Sequence, residues 1–237
     1  TQDVTITVSD GEESAEVTFY LSVENVDPTI SSVTNTGPID EGGAATVTVT
    51  ATDPAGANAP LSYSFDCDND GSDEVGPQAG NSTSCAFGDS GDFLVTVSVT
   101  DGDGGSAASS ATVTVDNVDP KLTLDTTGSI SMDGGDIFLG RQDVAQSHSA
   151  TATDPGSDDL TFYWSFAPDA TTASNVYLND GLFDPDPDPS PTFNPRNETD
   201  TQSVTFSAPG IYTVAVTVTD DDGGIPVANG SFETGTL

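Results

Sequence analysis

The densest chemistry in this 237-residue chain lies in the run Asp66-Cys67-Asp68-Asn69-Asp70-Gly71-Ser72-Asp73-Glu74. Carboxylates at alternate positions, Asp66, Asp68 and Asp70, converge when such a loop curls. Gly71 permits the sharp turn, and Asp73 extends the acidic set. Hard oxygen donors clustered in this way suit Ca²⁺, which takes about 6–8 of them. An EF-hand would need a Glu at the twelfth position, where this chain has Pro77. A solvated acidic turn is the competing reading. A second regular series, Asp184, Asp186 and Asp188, alternates with prolines. It reads either as an ion-binding segment or as a stiff solvated spacer.

Catalytic equipment is sparse. The chain has one His, one Met, one Trp and two Cys. Without a second histidine, no Ser, Asp or Cys can assemble a triad, and nothing marks one carboxylate pair out for hydrolysis. His148 and Trp164 read as core residues of strands. The chain is therefore expected not to be an enzyme. Three Lys plus Arg stand against 39 Asp plus Glu, a net charge of −36. Binding to nucleic acid through phosphate neutralisation is excluded, and docking on anionic lipid is disfavoured. No apolar run is long enough to span a membrane, and no N-terminal segment has the pattern of a signal peptide. Of the 39 acidic residues, 31 are Asp. That excess, placed in turns with Gly and Asn, fits ligand loops, while the scarcity of Lys also fits adaptation to salt. Sequons at Asn81, Asn197 and Asn229 are no more than such a composition produces by chance.

The elements that must position these residues are strands. Apolar residues alternate with hydroxyls in Val4–Val8, Val47–Ala51, Val95–Val99, Val113–Val115 and Val214–Val218, which puts one apolar face on each. No sustained helical period appears. The segments also repeat. VTVSVTDGDGG from Val95 matches VAVTVTDDDGG from Val214, and VTITVSDG from Val4 matches the first of these. ENVDP at 24–28 recurs as DNVDP at 116–120, and TATDP recurs around Asp53 and Asp154. Three pieces follow: residues 1–28 as the last two strands of an incomplete repeat, 29–120 as a complete repeat, and 121–237 as a second repeat. The second repeat carries an acidic, Pro-rich insertion at about 169–200, whose prolines disfavour a central strand. The chain opens within a strand pattern and so reads as a piece of something longer. Its end, NGSFETGTL, either closes the last sandwich or begins another domain.

A repeat of about 90 residues built from short alternating strands reads as an immunoglobulin-like β-sandwich. LSYSFDCDNDG at 61–71 and LTFYWSF at 160–166 resemble the Tyr-x-Trp-x-Phe strand of polycystic-kidney-disease-type (PKD) domains. SGDFLVTVSVTDGDGG and PGIYTVAVTVTDDDGG resemble that family's penultimate strand and turn, and ATVTVDNVDP resembles its last strand and exit. ATDPAGANAPLSYS at 51–64 and the short DNVDP joint are similar to the calcium-binding linkers of cadherin repeats.

The resemblance implies an all-β fold of tandem sandwiches with Ca²⁺ as cofactor. The 66–74 run is similar to a calcium loop of the PKD or thrombospondin kind. Ser165, Ala167 and Pro168 occupy the matching places in the second repeat, which should lack that site. At the joints, Glu24, Asn25 and Asp27 leave one repeat, and Glu41, Asp53 and Asp101 sit on turns that the topology can bring to the same end. Asp116, Asn117 and Asp119 would act likewise at the next joint, with Asp154 and with Asp158 or Asp159. Solvated turns are again the competing reading. Cys67 shares the inward face of Phe65, and Cys85 that of Phe87. They predict a disulfide across the sandwich in an oxidising compartment, against the alternative of two inert buried thiols.

The expected core is Val47, Val49, Phe65, Phe87, Val95, Val97 and Val99, then Trp164, Phe166, Phe206, Val214, Val216 and Val218. The functional expectation is an extracellular, calcium-stiffened structural repeat: a stalk or building block of a cell-surface adhesin, filament or layer. Its partners would be neighbouring repeats or subunits of the same surface protein, joined in cis or by strand donation, and a glycan or another cell surface. The alternative is a glycan- or protein-binding accessory module of a secreted enzyme, for which Tyr163 and Tyr177 are the available aromatic platform.

Overall fold

A computed structural model describes residues 2–127, 129–132, 135–167, 171–177, 195–222 and 227–235. Within them the fold is all-β, with one short 3₁₀ turn at Gly56–Asn58. The chain opens on a hairpin, β1 (Gln2–Ser9) and β2 (Ser14–Leu21). Next come β3 (Thr29–Asn35), β4 (Ile39–Asp40), β5 (Ala44–Thr52), β6 (Ser62–Asp66), β7 (Val75–Gln78), β8 (Ser82–Ala86), β9 (Gly91–Thr100) and β10 (Ser106–Asp116). The remainder is β11 (Lys121–Leu124), β12 (Ile130–Met132), β13 (Gly135–Leu139), β14 (Ala145–Asp154), β15 (Leu160–Ala167), β16 (Thr171–Tyr177), β17 (Arg196–Thr205), β18 (Tyr212–Thr219) and β19 (Val227–Gly235).

The strands from β3 to β10 form a sheet β3-β5-β8 and a sheet β4-β10-β9-β6-β7, and those from β11 to β19 form β11-β14-β17 and β12-β13-β19-β18-β15-β16. Each three-stranded sheet faces its larger partner across one apolar core. The alternation explains why. Alternate residues are buried from Ala45 to Val49 in β5 and from Val95 to Val99 in β9, and Val47, Val49, Val95, Val97 and Val99 are fully enclosed. Burying a Val or Phe side chain is worth roughly 1.5–3 kcal/mol, so a slip of one residue would turn that face to water. All the core residues expected from alternation are buried. The last segment pairs with β18 as β19, so it closes the second sandwich through residue 235.

Strand β4 pairs in parallel with the end of β10, Ile39 with Val115 and Asp40 with Asp116. The Glu41 amide continues this ladder by donating to the Asp116 carbonyl at 3.0 Å. The pairing sets Glu41 beside the exit of its own repeat. The hairpin β1–β2 pairs only with itself, and its apolar residues Ile6, Val8, Val17, Phe19 and Leu21 are exposed. The segment expected to be an insertion carries β16 near its start and the beginning of β17 at its end. Pro168, Asp184, Asp186 and Asp188 lie outside the described residues.

Two buried polar residues shape the second core. Trp164 donates its indole N–H to Asp200 at 2.6 Å, and Asn175, Tyr177 and Gln202 donate to the same carboxylate at 2.7, 2.8 and 3.2 Å. Burial pushes the Asp200 carboxyl up, but these donors prevail and hold it below its ordinary value. Tyr177 is thereby held partly buried against the core, its ring edge-on to Phe162 at 5.4 Å. Tyr163 stays about half exposed. His148 is a core residue, packed edge-on against Phe138 at 5.2 Å, with its Nε2 unpartnered. Burial holds its pKa below the ordinary 6.5.

Asp200→Ala would strand the Trp164, Asn175 and Tyr177 donors. It is expected to cost roughly 3 kcal/mol in denaturant unfolding. Because the folded pKa of His148 is depressed, its contribution is complete above the unfolded value and drains away as pH falls below about 6.5. His148→Val, matching Val47 of the first repeat, should abolish that part of the stability loss between pH 7.5 and 5. Denaturant curves of the two proteins at both pH values, with calcium saturating, measure the difference.

Candidate metal centres

The chain builds three groups of oxygen donors, two at the ends of the first repeat and one on its flank. The most enclosed lies where the two sandwiches meet. Glu41, Asp89, Asp158 and Asp222 bring one carboxylate oxygen each to within 4.8 Å of one another. Glu41 comes from the turn after β4, Asp89 from the turn before β9, Asp158 from the loop after β14, and Asp222 from the turn after β18. Both repeats therefore contribute. Glu41, Asp89 and Asp158 are each only 2% exposed.

Backbone donors hold the constellation. Glu41 accepts from the Val118 amide at 2.6 Å and Asp154 from the Gly156 amide at 2.8 Å. Asp221 accepts from the Asp159 amide at 2.8 Å. Asn117 donates to Asp220 at 3.2 Å. These bonds leave Glu41 Oε2, Asn117 Oδ1, Asp154 Oδ2, Asp158 Oδ2 and Asp222 Oδ2 buried without a hydrogen-bond partner. Buried polar atoms are almost always satisfied, so this group of acceptors is one that could hold a cation. Burial, with neighbouring carboxylates adding to it, pushes Glu41 up to about 8. Burial also raises Asp154 and Asp158, and brings Asp221 to about 6. A bound cation reverses this by favouring the ionised forms. Gly156 forms the floor. A Cβ there would lie 2.5 Å from Asp158 Oδ2 and 2.7 Å from Glu41 Oε2.

The first joint repeats the pattern. Asn25 donates to Asp101 Oδ2 at 2.8 Å, as Asn117 does to Asp220. Asp101 Oδ1 accepts from the Asp103 and Gly105 amides, both at 2.8 Å. A Cβ on Gly105 would overlap Asp101 and come within 2.8 Å of Asp27 Oδ1 and Asn25 Nδ2. Glu24, Asn25, Asp53 and Asp103 line a cleft of about 470 Å³, and Asp53 Oδ2 is buried without a partner.

The third group is the 66–74 loop. Asp66, Asp68, Asp70 and Glu74 bring one oxygen each to within 4.8 Å. Glu74 joins this group, whereas Asp73 stands exposed outside it. The Cys67–Cys85 disulfide forms and ties the loop to β8 in the opposite sheet. In the second repeat Ser165 and Ala167 take the places of Asp66 and Asp68.

The structure separates some expected partners. Glu41 stands at the second joint, at the opposite end of its repeat from Asp53 and Asp101, because β4 pairs with the end of β10. Asp116 pairs through its backbone with Asp40 and Glu41 while its side chain is exposed, and Asp119 is exposed in the linker. Asp89 and Asp222 join the cluster without being among the residues expected from the sequence. Asp222 was legible, because it matches Asp103 in the repeated turn. Asp89 carries no local signal, since its turn meets Glu41 only through the pairing of β9 and β4 with the end of β10. All-oxygen donor sets fit Ca²⁺ and offer nothing for the nitrogen and sulfur preferences of zinc.

Residues 25–116 match the PKD domain family. No curated protein matches the chain at a significant level. Among solved structures, the chain is similar to titin domains A168–A170, with 12% identity, 88% of this chain and 65% of that one covered, and a TM-score of 0.45. It is also similar to the titin domains Z1Z2 in complex with telethonin, with 14% identity, coverage of 91% and 98%, and a TM-score of 0.40. A third is the set of fibronectin(III)-like modules of Clostridium thermocellum CbhA, with 13% identity, coverage of 86% and 94%, and a TM-score of 0.32. No helix among the described residues is long and apolar enough to cross a membrane.

Gly156→Ala preserves every charge yet fills the space between Asp158 and Glu41. Calcium at 100 times its dissociation constant should stabilise the native protein by about 2.7 kcal/mol. The variant should lose most of the corresponding rise in thermal midpoint, read by calorimetry with calcium and with chelator at fixed ionic strength.

Proposed function

We propose that this chain, which carries a PKD domain over residues 25–116, is an extracellular structural segment whose repeats are locked end to end by Ca²⁺. It serves as a stalk or building block of a cell-surface adhesin, filament or layer. The observation that carries this reading is the joint cluster. Glu41 and Asp89 come from one sandwich and Asp158 and Asp222 from the next, so a cation held by all four bridges two bodies. Asp154 and Asn117 add unpartnered oxygens at the same joint. The first joint offers Glu24, Asn25, Asp27, Asp53, Asp101 and Asp103 in the matching arrangement, and would bind the adjoining repeat in the same way.

Calcium acts here by two routes. It neutralises buried carboxylates that otherwise repel one another, and it converts a hinge into a fixed angle. Without the ion, like charges from the two repeats face each other across the joint, which favours opening. The disulfide supports an oxidising, extracellular setting. The role is mechanical and needs no catalytic residue, and the single histidine is packed in an apolar core. Neighbouring repeats of the same surface protein are the partners this reading requires.

Distances between spin labels placed on the outer faces of the two sandwiches test the proposal. Calcium should collapse a broad distance distribution to a narrow one, and Glu41→Gln combined with Asp158→Asn should keep it broad at the same calcium concentration. A distribution unchanged by saturating calcium in the unsubstituted protein would sink the stiffening role.

A further inference from the structure

The 66–74 loop and the disulfide are parts of one device. We propose that this loop is a second calcium-type site whose affinity is set by the Cys67–Cys85 bond, so that cation occupancy and reduction of the disulfide oppose each other. The inference shares calcium chemistry with the joint reading but uses none of its residues.

Asp66 is the end of β6, held in register with Thr96 of β9. It is 6% exposed. Its Oδ2 accepts from the Gly71 amide at 3.0 Å, and its Oδ1 is buried with no partner, beside the oxygens of Asp68, Asp70 and Glu74. An unsatisfied carboxylate oxygen enclosed among other carboxylates needs a cation. The loop is held in shape for it. Asn69 adopts φ 56° and Gly71 φ 93°, Thr96 donates to Asn69 Oδ1 at 2.8 Å, and Asp68 and Asp70 accept from the Asp70 and Ser72 amides at 3.1 and 2.7 Å.

Cys67 stands between the ligands Asp66 and Asp68, and its own amide donates to the ligand Glu74. Cys67, flanked by two of the four ligands and hydrogen-bonded to a third, is thus the residue bonded to Cys85 of β8. Cutting the bond releases the loop from the facing sheet, and a less organised site binds more weakly. Linkage makes the effect reciprocal, since whatever the disulfide contributes to affinity, the cation returns as resistance to reduction. The second repeat gives an internal control. Ser165, Phe166 and Ala167 replace Asp66, Cys67 and Asp68, and Val204 replaces Cys85. The two cysteines and the ligands Asp66 and Asp68 are absent there together, and Phe166 and Val204 both belong to the apolar core of that repeat.

Reduction by a dithiol breaks the S–S bond. Two electrons and two protons pass to Cys67 and Cys85, and the reductant closes its own disulfide. The test uses the whole chain. The rate of reduction by dithiothreitol is followed by alkylation and mass analysis, with calcium and with chelator. Calcium should slow the reaction by at least about tenfold. Asp68→Asn combined with Asp70→Asn should abolish the protection, and Glu41→Gln should leave it intact. Equal rates with and without calcium overturn the inference, as does protection that survives the loop substitutions but is lost with Glu41→Gln. In parallel, amide shifts of residues 66–74 during calcium titration should give an affinity at least about tenfold weaker after reduction. Equal affinities in the two forms overturn the linkage, and an absence of shifts in this loop overturns the site itself. Amides of Val118 and Gly156 report the joint separately, so failure here and failure of the joint reading are distinguishable.

Discussion

The structure depends on how buried negative charge is compensated. Glu41, Asp154 and Asp158 are drawn out of water at the joint between two sandwiches in a chain carrying 39 acidic and three basic residues. Desolvating even one carboxylate without a partner is expensive. Several of them, with five oxygens there left unpartnered, concentrate that cost at the joint.

The sandwich geometry is what turns this charge into a joint. Antiparallel strands deliver turns to both ends of each sandwich, and the parallel pairing of β4 with the end of β10 carries Glu41 to the exit end. Glycines without side chains, Gly105 at one joint and Gly156 at the other, leave room for the carboxylates to converge. Asn25 with Asp101 and Asn117 with Asp220 form the same hydrogen bond one repeat apart. The joints are thus two instances of one design, repeated because the strands that build it are repeated.

The two sandwiches solve their interiors differently. The first spends its pair of cysteines on a bond between sheets, beside an acidic loop. The second has Phe166 and Val204 at those positions and places one ionised carboxylate, Asp200, under the indole of Trp164, where four donors satisfy it. A buried carboxylate with enough donors is a structural element. A buried carboxylate with too few is a candidate for binding a cation. Asp200 and Asp158 mark the two sides of that line, and net charge does not distinguish them.

Much of this was legible in the residues themselves. Alternation of Val with Thr determined the strands and which face of each is buried, because a period of two puts successive side chains on opposite faces. Repeated motifs determined the tandem sandwiches, and the shared inward faces of Phe65 with Cys67 and Phe87 with Cys85 pointed to the disulfide. The Asp66–Asp70 spacing marked a local cluster, since ligands within one loop are close for reasons of chain connectivity alone. Tertiary structure alone decided which distant turns meet. Asp89 and Glu41 meet Asp158 and Asp222 through the packing of one repeat on the next, and Asp200 on β17 reaches Trp164 on β15 across the two sheets. Glu41 serves the second joint because of a two-residue parallel pairing that no local pattern encodes. Contacts between residues far apart in the chain follow from strand order and sheet packing, and these are properties of the assembled fold.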